Sequence, residues 1–125
     1  MDIIKLFEIK ELSQEFMHPP QIDRRGDDSV LLFDYETDTG EYEWTGVTFK
    51  NTINNKHTKD NEISEYMVKA YNSVVEVKNS AWINKIAFAN KNSNLNAMYK
   101  HFLVYFDGYG AYEFISTDAI KGISE

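Results

Sequence analysis

The stretch from His101 to Ser116 limits the folds open to this chain more than any other. His101 to Phe106 is a short apolar and aromatic run, Asp107-Gly108-Tyr109-Gly110 is built of turn formers, and Ala111 to Ser116 is a returning run. Two such runs joined by a glycine-containing turn read as a β-hairpin, so the chain must build a sheet that accommodates it.

A second hairpin lies earlier. Val30, Leu31, Leu32, Phe33 and Tyr35 fill Ser29 to Glu36, which suits a strand buried on both faces at its beginning, and Thr37-Asp38-Thr39-Gly40 supplies a turn. Beyond the turn Tyr42 and Trp44 share one face, whereas Val47 and Phe49 fall on the opposite parity. A bulge at Gly46 would bring both pairs to one core. Residues 51–61 are polar and poorly patterned, compatible with a short edge strand or an extended loop containing Ile53 and His57.

Helical spacing occurs in three places. Ile3, Leu6, Ile9, Leu12 and Phe16 recur at three- and four-residue intervals among charged residues, which predicts an amino-terminal amphipathic helix ending before His18-Pro19-Pro20. A polar loop over residues 18–28 should follow. Asp60 or Asn61 can cap a helix carrying Ile63, Met67, Ala70 and Tyr71, which gives way near Asn72 to a strand with Val74, Val75 and Val77. Asn79 and Ser80 then cap a short helix that places Trp82, Ile83, Ile86 and Ala87 on one face. The combination predicts an α+β fold: a single domain over residues 1–125, with an antiparallel or mixed sheet of about five strands packed with an N-terminal helix and two short helices.

With 42% apolar residues the chain can bury a core, and its length fits one domain. No apolar run approaches the roughly 20 residues that cross a bilayer, and no secretion signal opens the chain, so a cytoplasmic protein without membrane contact is expected. The absence of cysteine excludes disulfides and thiolate metal sites. A net charge of −7 opposes approach to phosphate backbones, which argues against nucleic acid as a partner. It fits either a soluble surface or a basic protein partner.

The usual chemical signatures are missing. If Gly40 took the place of the glycine in a calcium loop, the first and third ligands would fall on Tyr35 and Thr37, neither a carboxylate. His18, His57 and His101 form no pair at four-residue spacing, so no metal site is expected. Gly108 and Gly110 lack the third glycine, the helix and the lysine of a nucleotide cradle, so they read as a turn and no cofactor is expected. No serine sits in a Gly-x-Ser-x-Gly elbow. The aromatic series Tyr99, Phe102, Tyr105, Phe106, Tyr109, Tyr112 and Phe114 reads as core and cross-strand packing, with Tyr109 at the turn tip as an exposed contact.

Over residues 57–116, Ala70-Tyr71, Val74-Val75-Glu76-Val77, Asn79-Ser80-Ala81-Trp82-Ile83 and the run Tyr105 to Ile115 resemble small uncharacterised bacterial cytosolic proteins. Some neighbours of those proteins are similar to immunity proteins that neutralise polymorphic toxins. The resemblance implies that Trp82 anchors a helix to the sheet and that Gly108 and Gly110 shape the hairpin turn. It supplies no catalytic residue.

The leading expectation is therefore an intracellular, non-enzymatic protein binder of the immunity or antitoxin type. Asp34, Asp38, Glu41 and Glu43 would meet a basic toxin surface, and Tyr109 would supply an aromatic anchor. A rival is a small enzyme or ligand-binding protein whose site is assembled across the sheet from Glu76, His101, Tyr105 or Glu113. A third is a self-associating or phage-derived accessory protein that forms a homo-oligomer.

Overall fold

From His101 to Phe106 and from Gly110 to Ser116 every residue is buried, so both faces of this hairpin must be covered. A computed structural model, which describes residues 2–11, 16–91 and 95–123, shows what covers them. Among the described residues there are nine strands: β1 (Asp2–Glu8), β2 (Gln21–Arg25), β3 (Asp28–Glu36), β4 (Tyr42–Lys50), β5 (Asn54–Thr58), β6 (Ser73–Lys78), β7 (Lys100–Phe106), β8 (Gly110–Ser116) and β9 (Asp118–Lys121). The helices are a single turn α1 (Glu65–Val68), the nine-residue α2 (Ala81–Ala89) and a second single turn α3 (Leu95–Met98).

The strands form two antiparallel sheets, one ordered β1-β6-β7-β8-β5 and the other β2-β3-β4-β9. The sheets meet face to face. Leu31, Phe33, Val47 and Phe49 of the smaller sheet pack on Val74, Phe102, Val104, Phe106, Tyr112 and Phe114 of the larger. Phe49 lies flat on Phe114 with ring centres 3.9 Å apart. On the far face of the larger sheet, Val75, Val77, Leu103 and Ala111 lie under Met67 and Ala70 of the α1 segment, while Ile115 lies under Ile83 and Leu95. The fold is thus a two-sheet sandwich with a thin helical cover.

This overturns the expected α+β architecture of one five-stranded sheet beside an N-terminal helix. The amino-terminal segment is strand β1, paired antiparallel with β6 from Asp2↔Lys78 to Glu8↔Ser73. A register shift between Lys5 and Phe7 exchanges its faces: Ile3 packs on the helix-covered side and Phe7 between the sheets. Apolar residues facing both ways in an edge strand imitate helical spacing, and the β-branched isoleucines favour the extended form. Leu12 of the expected helix lies outside the described residues.

Two further differences lie in the smaller sheet, and the choice left open for residues 51–61 falls to the edge strand over its middle part. The expected loop over residues 18–28 contains β2, a polar edge strand held by Gln21↔Leu32 to Arg25↔Asp28. Residues 54–58 are an edge strand on β8. No bulge occurs at Gly46, because β3 and β4 stay in register from Ser29↔Phe49 to Glu36↔Tyr42. Glycine is required there for another reason: a Cβ would stand 2.6 Å from the Leu31 carbonyl oxygen and 3.3 Å from Ile123. Gly110, at φ +108°, packs against the Thr58 carbonyl, where a Cβ would collide.

The helical segment after Asp60 is shorter than expected, a 3₁₀ turn over Asp60–Glu62 followed by α1. The Ser80 cap is present: its hydroxyl accepts the Ile83 N–H at 3.2 Å and opens α2, whose Trp82, Ile86 and Ala87 pack beside Ile83 on the sheet.

Phe114 is fully buried between the sheets. Phe114→Ala should lower the unfolding free energy by about 3–5 kcal/mol, read from the urea midpoint at unchanged slope.

Candidate functional site

Charge is distributed unevenly along the chain. Residues 26–49 hold seven of the 20 acidic residues and none of the 13 Lys and Arg, so the remainder is balanced and the net −7 resides in this segment. It folds as the β3–β4 hairpin with its leading turn. Asp28 is neutralised by Lys50 at 2.6 Å, and this bond, with the Asn51 N–H, holds its carboxyl below the usual range. Glu36, Asp38, Glu41 and Glu43 are exposed near the tip; of these, Glu43 accepts the Tyr35 hydroxyl at 3.2 Å.

Asp34 is placed differently from the expectation that it meets a partner. It is only 1% exposed and faces inward to its own chain, accepting the backbone N–H of Met17 at 2.8 Å and of His18 at 2.9 Å. Its Oδ2 also bonds the His18 imidazole Nδ1 at 2.9 Å. The His18 ring in turn stacks on Trp44, with centres 5.7 Å apart and planes 28° apart. Asp34 therefore fixes a support on which a 43% exposed tryptophan rests beside the acidic tip. Trp44 is exposed because the β3–β4 register keeps it on the outer face of the smaller sheet, opposite Val47 and Phe49.

Tyr109 is not a free contact at a turn tip. It is half-buried and packs on Phe16 at 5.0 Å, and its carbonyl accepts the His57 Nε2 at 2.7 Å.

The helix-covered face of the larger sheet holds a second polar cluster. Register places His101 opposite Ile115 and Leu103 opposite Glu113, so His101 and Glu113 are diagonal neighbours on one face. His101 Nε2 lies 2.7 Å from Glu113 Oε1, and His101 Nδ1 lies 2.8 Å from Ser80 Oγ. The Tyr66 hydroxyl donates to Glu113 Oε1 at 2.9 Å, and Lys56 Nζ stands 3.6 Å from Oε2, beyond hydrogen-bond range. The carboxylate accepts from Nε2–H, so Nδ1 is left to accept the Ser80 O–H. Trp82 closes the cluster, edge-on to His101 at 5.2 Å and under Lys56 Nζ at 4.4 Å. A cavity of about 270 Å³ borders it, lined by Ser80, His101, Glu76, Lys78, Asn84 and Tyr99 among others.

Of the four residues assigned to a site across the sheet, only His101 and Glu113 are hydrogen-bonded to each other, while Glu76 shares with His101 the lining of the cavity. Glu76 pairs with Lys78 at 2.8 Å, and its register partner is Phe102, on the sandwich side. Tyr105 donates to Asp60 at 2.9 Å; burial, followed by this carboxylate, pushes its hydroxyl up to about 12. In the sequence Ser80 reads as a helix cap alone, and Trp44 reads as a strand residue turned to the core, whereas it is exposed. The hairpin register would have exposed the His101–Glu113 diagonal.

Among the described residues no three His, Asp or Glu side chains converge as a metal site requires. No described helix is long and apolar enough to cross a membrane. No protein-family model matches the chain, and no curated protein or solved structure matches it either.

Burial alone would raise the Glu113 carboxyl, but His101, Tyr66 and Lys56 outweigh it and hold it below its ordinary value of 4.5. A depressed folded-state value means that this stabilisation is complete above the unfolded value and fades as pH falls through the folded one. Glu113→Gln should cost about 1.5–3 kcal/mol at neutral pH, the worth of hydrogen bonds made to a charged acceptor. Urea unfolding between pH 6 and pH 3 should show the wild type losing stability more steeply than the variant, and parallel pH profiles would contradict this assignment.

Proposed function

We propose that this protein is a binding module of the immunity or antitoxin type, which captures a basic protein through the tip and outer face of the β3–β4 hairpin. The observation that carries the reading is the confinement of the net charge to one hairpin beside an exposed tryptophan supported from below. A concentrated negative surface speeds encounter with a basic partner, whereas the strength of the final complex depends on a desolvated anchor. Trp44 is that anchor, and Glu36, Asp38, Glu41 and Glu43 do the steering. A basic toxin is the partner class that fits the resemblance of residues 57–116.

The test is affinity capture from the native host followed by kinetics on the recovered partner. Neutralising the tip with Glu36→Gln, Asp38→Asn, Glu41→Gln and Glu43→Gln should slow association about tenfold or more at low salt. Trp44→Ala should instead speed dissociation, weakening the complex by about 2 kcal/mol or more. A partner bound equally well by both variants sinks the reading.

One observation favours a different class, a small acyl hydrolase: the ordered chain Ser80 O–H to His101 to Glu113 beside a cavity. It has the hydrogen-bond order of nucleophile, base and orienting acid. Against it, Ser80 is nearly buried and its oxygen already accepts the Ile83 N–H. A fluorophosphonate reagent should label Ser80 if this second reading holds, and an unlabelled protein removes it.

A further inference from the structure

Among the described residues the smaller sheet has an edge that is paired over only part of its length. β9 pairs with β4 only at Lys50, Phe49 and Thr48, and the Gly122 N–H then donates to the Gly46 carbonyl at 2.8 Å. Beyond that point no described residue pairs with Tyr42–Thr45 on the side away from β3. In an antiparallel strand the backbone groups turn alternately to one neighbour and the other. Gly46 turns its carbonyl toward β9, so Trp44 and Tyr42, two and four residues back, present their N–H and C=O groups to the same open side.

We infer that the basic partner binds as an extended strand laid along Tyr42–Thr45, continuing the smaller sheet where β9 stops. This rests on the binding role given to the hairpin above and specifies what it binds. An open edge is a template for another strand, and folded proteins commonly blunt such edges with lysine, proline or a bulge. Tyr42–Thr45 contains none of these. Among the described residues its guard is charge, from Glu43 within the segment and Glu41, Asp38 and Glu36 beside it. That guard repels a second copy of this hairpin, since an edge-to-edge dimer would bring two acidic tips together. It attracts a strand carrying Lys or Arg.

The pleat sets the pattern of the incoming segment. Alternate residues lie beside Glu43 and Thr45 on one face, and the intervening ones lie beside Tyr42 and Trp44 on the other. The fitting ligand is a short extended peptide with Lys or Arg at every second position, and apolar residues between them to cover the Trp44 ring. Backbone bonds would give affinity and the alternating side chains selectivity, as in other strand additions.

Two capped synthetic peptides test this on the intact protein: one of alternating Lys and Val, the other of alternating Lys and Pro with the same length and charge. The proline peptide keeps the electrostatics but lacks every second N–H. The Lys-Val peptide should bind about tenfold tighter or better, because two or more added hydrogen bonds are worth that much. It should also slow hydrogen exchange of the Trp44 amide and shift the amide signals of Tyr42–Thr45. Equal affinity of the two peptides, or signal shifts centred elsewhere, overturns the strand addition and leaves capture by charge standing. Failure of both peptides to bind at low salt overturns both.

Discussion

The structure depends on the burial of the β7–β8 hairpin on both faces. A strand pair lined by Phe102, Val104, Phe106, Tyr112 and Phe114 on one side and Leu103, Ala111 and Ile115 on the other cannot stand against water on either. The smaller sheet exists to cover the first side. The short helices cover the second, and because α1 is a single turn they have little stability of their own. The Ser80–His101–Glu113–Tyr66 chain compensates, tying both helical segments to strand positions through hydrogen bonds in a buried place.

That dependence explains what could be read from residues alone. The β7–β8 hairpin, β3, the β3–β4 turn, β6 and the Ser80 cap were legible because their signals are local. β1, β2 and β9 were not. β1 pairs with a strand some seventy residues away, and its register shift turns an alternating pattern into one that imitates a helix. β2 and β9 are edge strands rich in polar residues, identifiable only by what they pair with. Gly46 looked like a bulge because parity changes around it; the true reason is the close approach of Leu31 and Ile123.

The candidate surface was half legible. Asp38, Glu41 and Glu43 are exposed at the tip of the hairpin that the turn residues announce. Asp34 looks identical to them in sequence, yet strand parity and the His18 loop bury it, changing it from a contact into a brace. Tyr109 likewise looked free because its neighbour in space, Phe16, comes from the far end of the chain. In both cases burial decided the role. The charge is divided unevenly: about four-fifths of the chain sums to no net charge, while one hairpin carries the net charge, an exposed tryptophan and, among the described residues, an edge that no strand completes.

The central claim is that this hairpin's charge guides the protein to a basic partner. Its most direct measurement is the association rate with the recovered partner as ionic strength is raised from about 0.01 M to about 1 M, across which the screening length falls from about 30 Å to about 3 Å. The account predicts a steep fall in association rate with little change in dissociation rate. An association rate indifferent to salt would contradict it.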